Sequence, residues 1–228
     1  MKKSLLLAVL YLGFFLHLAA QQSVTRNIDP FKGVKAAEGI DVYLKKGAKE
    51  SARIESEGTS ADNVITEVSG NSLKIHMRDG RFKGKINIKV YVTYVSLDKI
   101  SVSSAASIFS EETIKSPDME LSASSAGNIN VAVEATKVAI SASSAGEIKV
   151  KGKASSVTAE ASSAGEVDAF DLEAESVTAG ASSAGSVDVY VSKNLIAQAS
   201  SGGDVRYRGN PDKSVTNSSS GGSVKKTN

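Results

Sequence analysis

The phrase Ser124-Ser125-Ala126-Gly127 decides how this chain is read, because it recurs. It returns as Ser143-Ser144-Ala145-Gly146, Ser162-Ser163-Ala164-Gly165 and Ser182-Ser183-Ala184-Gly185. Variants stand on either side: Ser103-Ser104-Ala105-Ala106, Ser200-Ser201-Gly202-Gly203 and Ser219-Ser220-Gly221-Gly222. The fourth positions are spaced by 21, 19, 19, 20, 18 and 19 residues. A period of about 20 residues marks a solenoid, in which a unit too small to bury its own apolar face stacks on its neighbour.

Each phrase lies between two alternating segments. Upstream, Leu121 and Ala123, then Val138, Ile140 and Ala142, then Val157, Ala159 and Ala161 form the apolar set. Val177, Ala179 and Ala181 and then Leu195, Ala197 and Ala199 continue it. Downstream the set is Ile129 and Val131, Ile148 and Val150, Val167 and Ala169, Val187 and Val189, Val205 and Tyr207. Alternate residues of a strand share a face, so these point inward. The Ala that ends each of these five upstream segments requires a coil that is narrow at that edge. The glycine is expected to supply a backbone angle closed to other residues. The serine hydroxyls are expected to bond to local backbone or to the same serine one rung away.

The expected fold is all-β. Residues 101–228 form a parallel, right-handed β-helix or solenoid with repeats of about 19–20 residues and a polar C-terminal cap. In that last unit Asn217 is expected at an inward Ala position, and Lys225-Lys226 follow the corner. A β-sandwich also has short alternating strands, but it does not require one corner repeated in every unit. The long first interval, with Glu111-Glu112 and Ser116-Pro117-Asp118, marks a looped-out rung or a seam.

Residues 21–100 lack the phrase but alternate, most clearly in Ile40-Asp41-Val42-Tyr43-Leu44 and Ile86-Asn87-Ile88-Lys89-Val90-Tyr91-Val92. This N-terminal β-region either continues the solenoid or forms a separate β-domain. Before it, Lys2-Lys3, an apolar run over residues 5–18 and Ala19-Ala20 read as a secretory signal peptide, residues 1–20. That run is too short for a membrane span, and no later run approaches one, so the exported chain is expected to carry no transmembrane anchor.

Removing the leader takes Lys plus Arg from 27 to 25, level with Asp plus Glu at 25. A neutral chain is poorly suited to nucleic acid, which requires phosphates to be neutralised. There is no Cys, so disulfides do not staple the fold.

Catalytic groups are scarce. His76 is the one histidine beyond the leader, and it reads as an outward polar side chain. Zinc sites and histidine-dependent triads therefore lack partners, and no cofactor is expected. A nucleophile occurs once beside a base, whereas these serines recur at every corner. Outward carboxylates offer more. Glu147, Glu166 and Asp204 follow the corners directly, and Asp168 and Asp188 lie two residues further on. Across rungs, Glu147 and Glu166 would be about 5 Å apart, as would Asp168 and Asp188. With Arg206 and Tyr190 they outline a possible ligand face, although Asn128, Ser186, Lys149 and Arg206 break up the acidic columns. There is no Trp, and the tyrosines read as scattered, which disfavours a carbohydrate platform.

The small-residue corner followed by Gly-x-Ile/Val resembles the family described as putative auto-transporter adhesin, head GIN domain. Also similar are the tyrosine-x-glycine-x-proline segment at Tyr207, Gly209 and Pro211, Phe31, Gly39-Ile40-Asp41-Val42 and Leu97-Asp98-Lys99-Ile100. The resemblance covers residues 30–225. It implies an exported β-helical domain of a Gram-negative envelope, in the periplasm or at the cell surface, with adhesion suggested by the family's name. Neither a membrane barrel nor a C-terminal sorting domain is recognisable before Asn228. The resulting expectation is a non-enzymatic envelope protein that binds a glycan or a protein through its solenoid face. A structural periplasmic scaffold and a polysaccharide-active enzyme are the alternatives.

Overall fold

The computed structural model describes residues 22–80 and 84–228. The expected signal peptide lies outside them. The first eight strands are β1 (Gln22–Asn27), β2 (Gly33–Ala36), β3 (Asp41–Lys46), β4 (Ser51–Glu57), β5 (Val64–Ser69), β6 (Ser72–Met77), β7 (Asn87–Tyr94) and β8 (Lys99–Val102). Five long strands follow: β9 (Ser107–Ala123), β10 (Asn128–Ser143), β11 (Glu147–Ser162), β12 (Glu166–Ala181) and β13 (Ser186–Ala199). Three short ones, β14 (Asp204–Arg208), β15 (Lys213–Ser218) and β16 (Ser223–Lys226), end the chain. The only helical turn among the described residues is Ala61–Asn63.

Each long strand leaves one corner, runs along one side of the coil, and returns along the other to the next corner. Parallel pairing then builds two ladders. On the downstream side β7, β3, β9, β10, β11, β12, β13, β14 and β16 stack in that order. On the upstream side the order is β6, β2, β8, then the second halves of β9 to β13, then β15. The N-terminal region thus shares both sheets with the repeats, and the molecule is a parallel β-solenoid. Its stacking order departs from chain order at one place. The β2/β3 rung lies between the β6/β7 rung and the β8/β9 rung, pairing with both. Antiparallel strands close that end, with β1 on β4, β4 on β7, and β5 on β6. This covers edges that would otherwise present unpaired backbone groups.

The inward sets lie as alternation requires. Ala142, Ala161, Ala181 and Ala199 are buried in a column at the narrow edge, and Ile129, Ile148, Val167, Val187 and Val205 are buried beyond the corner. Tyr207 is half-buried. In the last unit the register corrects one assignment. Asn217 pairs with outward Gln198, and Thr216 and Ser218 continue the columns of Ala197 and Ala199.

The corner itself works differently from expectation. In each, the carbonyl of the first serine accepts from the fourth residue, as with Gly146 N to Ser143 O at 2.8 Å. The residues at positive φ are the two between, Ser144 at 49° and Ala145 at 59°. Two central residues at positive φ make the arrangement of a type I′ turn, which normally favours Asn or Gly. The fourth-position glycines Gly127, Gly146, Gly165 and Gly185 are not in that region. They are needed for proximity: a Cβ on Gly165 would lie 2.4 Å from Ala142 O and 2.5 Å from Ala142 C. The corners are also bonded to one another, Ala145 N donating to Ser163 O at 3.1 Å and Ala164 N to Ser183 O at 3.1 Å. This contact locks the stack in register, so differences in rung length are displaced to the far edge. Register shifts occur there, opposite Phe109/Thr113, at Lys149/Gly152 and at Ala169/Glu173.

Candidate functional site

The downstream side brings together the residues expected to form a ligand face. Glu147 pairs with Glu166, and the same column continues through Ser186 to Asp204. In the next column Lys149, Asp168, Asp188 and Arg206 are successive neighbours. Opposite charges here satisfy each other. Lys149 Nζ lies 3.0 Å from Asp168 Oδ2, and Arg206 grips both oxygens of Asp188, with Nε donating at 2.7 Å. Asp188 is only 6% exposed. Its pKa is raised, chiefly by burial and further by the charges of Asp168 and Asp204, against the lowering effect of the Arg206 hydrogen bond and charge. Arg206, which is more exposed, has its pKa raised by the same hydrogen bond. Tyr190 stands one column away, opposite Glu173 and Arg208. Phe170 lies under Arg208, whose guanidinium carbon is 4.1 Å from the ring centre. Glu147 and Glu166 form no ion pair among the described residues.

Two of the tyrosines are not scattered. Tyr91, Tyr43 and Phe109 occupy one outward column on β7, β3 and β9. Their ring centres are 5.2 and 5.4 Å apart with planes tilted by 20° and 23°, and Arg53 covers the free face of Tyr91 at 4.0 Å. Sequence reasoning missed this ladder because it depends on the displaced β2/β3 rung. Rings stacked on one another turn their edges outward, whereas a sugar stacks on an open face. The ladder therefore ties rungs together at the seam between the cap and the repeats.

The upstream side has a different character. One outward column begins Lys74, Lys35, Ser101, Ser122. It continues through Ser141, Glu160, Gly180, Gln198 and Asn217. Beside it runs the column of first corner serines, Ser103 to Ser219. Contrary to expectation, none of those hydroxyls has a protein hydrogen-bond partner among the described residues; the corner is held by backbone bonds alone. Two of the grooves on this side lie along these columns. One, of about 310 Å³, lies where Gly180 leaves a gap between Glu160 and Gln198, bordered by Ser162, Ser182 and Ser200. The other, of about 400 Å³, lies at Lys35 and Lys74. His76 borders it, outward and half-buried. Among the described residues no cluster of three or more His, Cys, Asp or Glu is placed to hold a metal, and no helix is long and apolar enough to cross a membrane.

The model of the family described as putative auto-transporter adhesin, head GIN domain, matches residues 30–211. The chain is similar to the crystal structure of a putative adhesin from Bacteroides fragilis, with a TM-score of 0.81 at 17% identity, over 92% of this chain and 99% of that one. A putative adhesin from Parabacteroides distasonis gives 0.72 at 18% identity, over 92% and 98%. A putative lipid binding protein from the same species gives 0.68 at 20%, over 91% and 97%. At such identities the likeness is one of fold. No curated protein matches the chain.

Proposed function

The chain belongs to the family described as putative auto-transporter adhesin, head GIN domain, and we propose that it is an exported, non-enzymatic envelope protein that binds a glycan along the upstream side of its solenoid. The observation that carries this is the column of unsatisfied hydroxyls, amides and a carboxylate running from Ser101 to Asn217 beside the corner serines. The hydroxyls and amides offer both donors and acceptors and Glu160 an acceptor, on rungs about 4.8 Å apart, and they match the hydroxyls of a polysaccharide. The downstream carboxylates serve the same reading less well, because Asp168 and Asp188 are already paired with cations. Glu147, Glu166 and Asp204 are the downstream carboxylates that form no ion pair among the described residues. Export by residues 1–20 would deliver the protein to the periplasm or the cell surface.

Gly180 provides the test. Its φ is ordinary, and an added Cβ would meet only Glu160 Cγ, at 3.9 Å. Gly180→Arg should therefore fold normally while filling the groove. The parent should label defined glycans on an array, and Gly180→Arg should lose that labelling at an unchanged melting temperature. A blank array, or labelling equal in the two proteins, would refute the reading. Glu147→Lys with Glu166→Lys tests the downstream face in the same assay.

A further inference from the structure

Lys74 on β6 and Lys35 on β2 are direct neighbours in register, and their side chains line the same groove of about 400 Å³. Like charges side by side on a sheet destabilise it. Some lysines of this solenoid meet a carboxylate one rung away, as in Lys99–Glu120 at 2.6 Å, Lys115–Glu134 at 2.8 Å and Lys149–Asp168 at 3.0 Å. Here none does so: among the described residues no carboxylate lies within ion-pair distance of Lys35 or Lys74. Glu67 stands opposite Lys74 in the β5–β6 register without pairing with it. Glu38, which also borders the groove, accepts the Met77 N–H at 2.7 Å.

The other groups in the groove are ready for a polar ligand. His76 Nδ1 faces the Met77 carbonyl at 2.9 Å. A carbonyl only accepts, so Nδ1 carries the proton and Nε2 is left for another partner. Ser101, Ser103 and Ser122 line the groove with hydroxyls that have no protein hydrogen-bond partner among the described residues. Two unpaired ammonium groups and a row of hydroxyls fit an oxyanion on a polyhydroxylated carrier.

We propose that this groove binds the carboxylate of a uronic acid residue in an acidic polysaccharide, held by Lys35 and Lys74, with Ser101, Ser103 and Ser122 meeting hydroxyls of the same or the next sugar. This rests on the glycan reading above and names the class of glycan. A polymer is favoured over a lipid headgroup because the groove continues into the Ser122–Ser141–Glu160 column rather than into apolar surface.

The test is calorimetric titration of the full exported chain with oligogalacturonate and with the same oligomer after its carboxyls are reduced to alcohols. Oligogalacturonate should bind, more weakly as salt rises. Both carboxyl reduction and the double change Lys35→Gln, Lys74→Gln should weaken binding about tenfold or more, since a charge-assisted contact carries that much. Lys153→Gln, on another part of the surface, should leave it unchanged. Both lysines point outward, so folding should survive, and each single change provides a second reading of the same effect. If the acidic and reduced oligomers bind equally, or binding ignores both lysines, the uronate assignment fails while the glycan reading stands. If neither oligomer binds and the array is blank, both fail. Binding to vesicles containing anionic phospholipid but not to oligogalacturonate would also overturn the assignment, in favour of a headgroup.

Discussion

Replacing Gly165 with alanine should destabilise the protein, although the backbone angle at Gly165 is open to any residue. The cost is steric. The new Cβ would lie 2.4 Å from Ala142 O, 2.5 Å from Ala142 C and 2.7 Å from Ser143 N. All three atoms belong to the backbone of the preceding rung, so no side chain can rotate away. The rungs must part at the corner, where Ala145 N donates to Ser163 O at 3.1 Å and Glu166 N to Gly146 O at 2.9 Å. Overpacking costs about 1–3 kcal/mol, and each weakened backbone hydrogen bond adds up to about 1 kcal/mol. A total of about 2–4 kcal/mol corresponds to a melting temperature lower by roughly 5–15 °C for a domain of this size.

The adjacent residue supplies the opposite sign. Ala145 is held at φ 59°, which costs a non-glycine residue about 1–2 kcal/mol. Ala145→Gly removes that strain, and the added freedom of the unfolded chain takes back about 0.4–1 kcal/mol. The variant should be as stable as the parent or up to about 1.6 kcal/mol more stable. Thermal and urea unfolding followed by circular dichroism would measure both. If Gly165→Ala melts within about 2 °C of the parent, the close-approach argument is wrong. A strongly destabilised Ala145→Gly would refute the assignment of strain to the third position.

The remaining expectations concern the core and the paired face. Ala161 is buried between Ala142 and Ala181 in the narrow column, so Ala161→Leu should cost on the order of 1–3 kcal/mol; a melting temperature equal to the parent's would contradict the inward assignment. The hydroxyl of Ser56 is buried with no partner among the described residues, so Ser56→Ala should stabilise by about 1 kcal/mol, and a loss in urea unfolding would show that the hydroxyl is satisfied. Asp188 has its pKa raised above the ordinary 3.8, chiefly by burial. The native state then holds that proton more tightly than the unfolded chain, so stability falls as pH rises from 3.8 through the raised value. Subtracting the melting profile of Asp188→Asn from that of the parent should expose this slope, and a flat difference would argue against it.

The parity of the strands and the existence of the stack were legible because both are local. Alternation fixes which side chains face inward, and a repeated corner can arise only where rungs repeat. The role of the corner glycine was not legible. A glycine kept for its torsion and one kept for a close approach look alike in sequence, and Ser144 and Ala145 are unusual occupants of the left-handed positions. Stacking order was hidden for a different reason. Nothing local to Tyr43, Tyr91 and Phe109 says that β3 lies between β7 and β9, because pairing between distant strands is decided by the whole coil. The candidate surfaces inherit this limit. The downstream column was found by counting along the repeats, where chain order and stacking order agree. The groove at Lys35 and Lys74 lies across the displaced rung, which brings two lysines from separate strands side by side. A repeat lets each rung inherit its neighbour's chemistry, so a site distinct from the repeat belongs where the repetition breaks. The displaced rung is such a break, and it sets Lys35 beside Lys74 of the next rung.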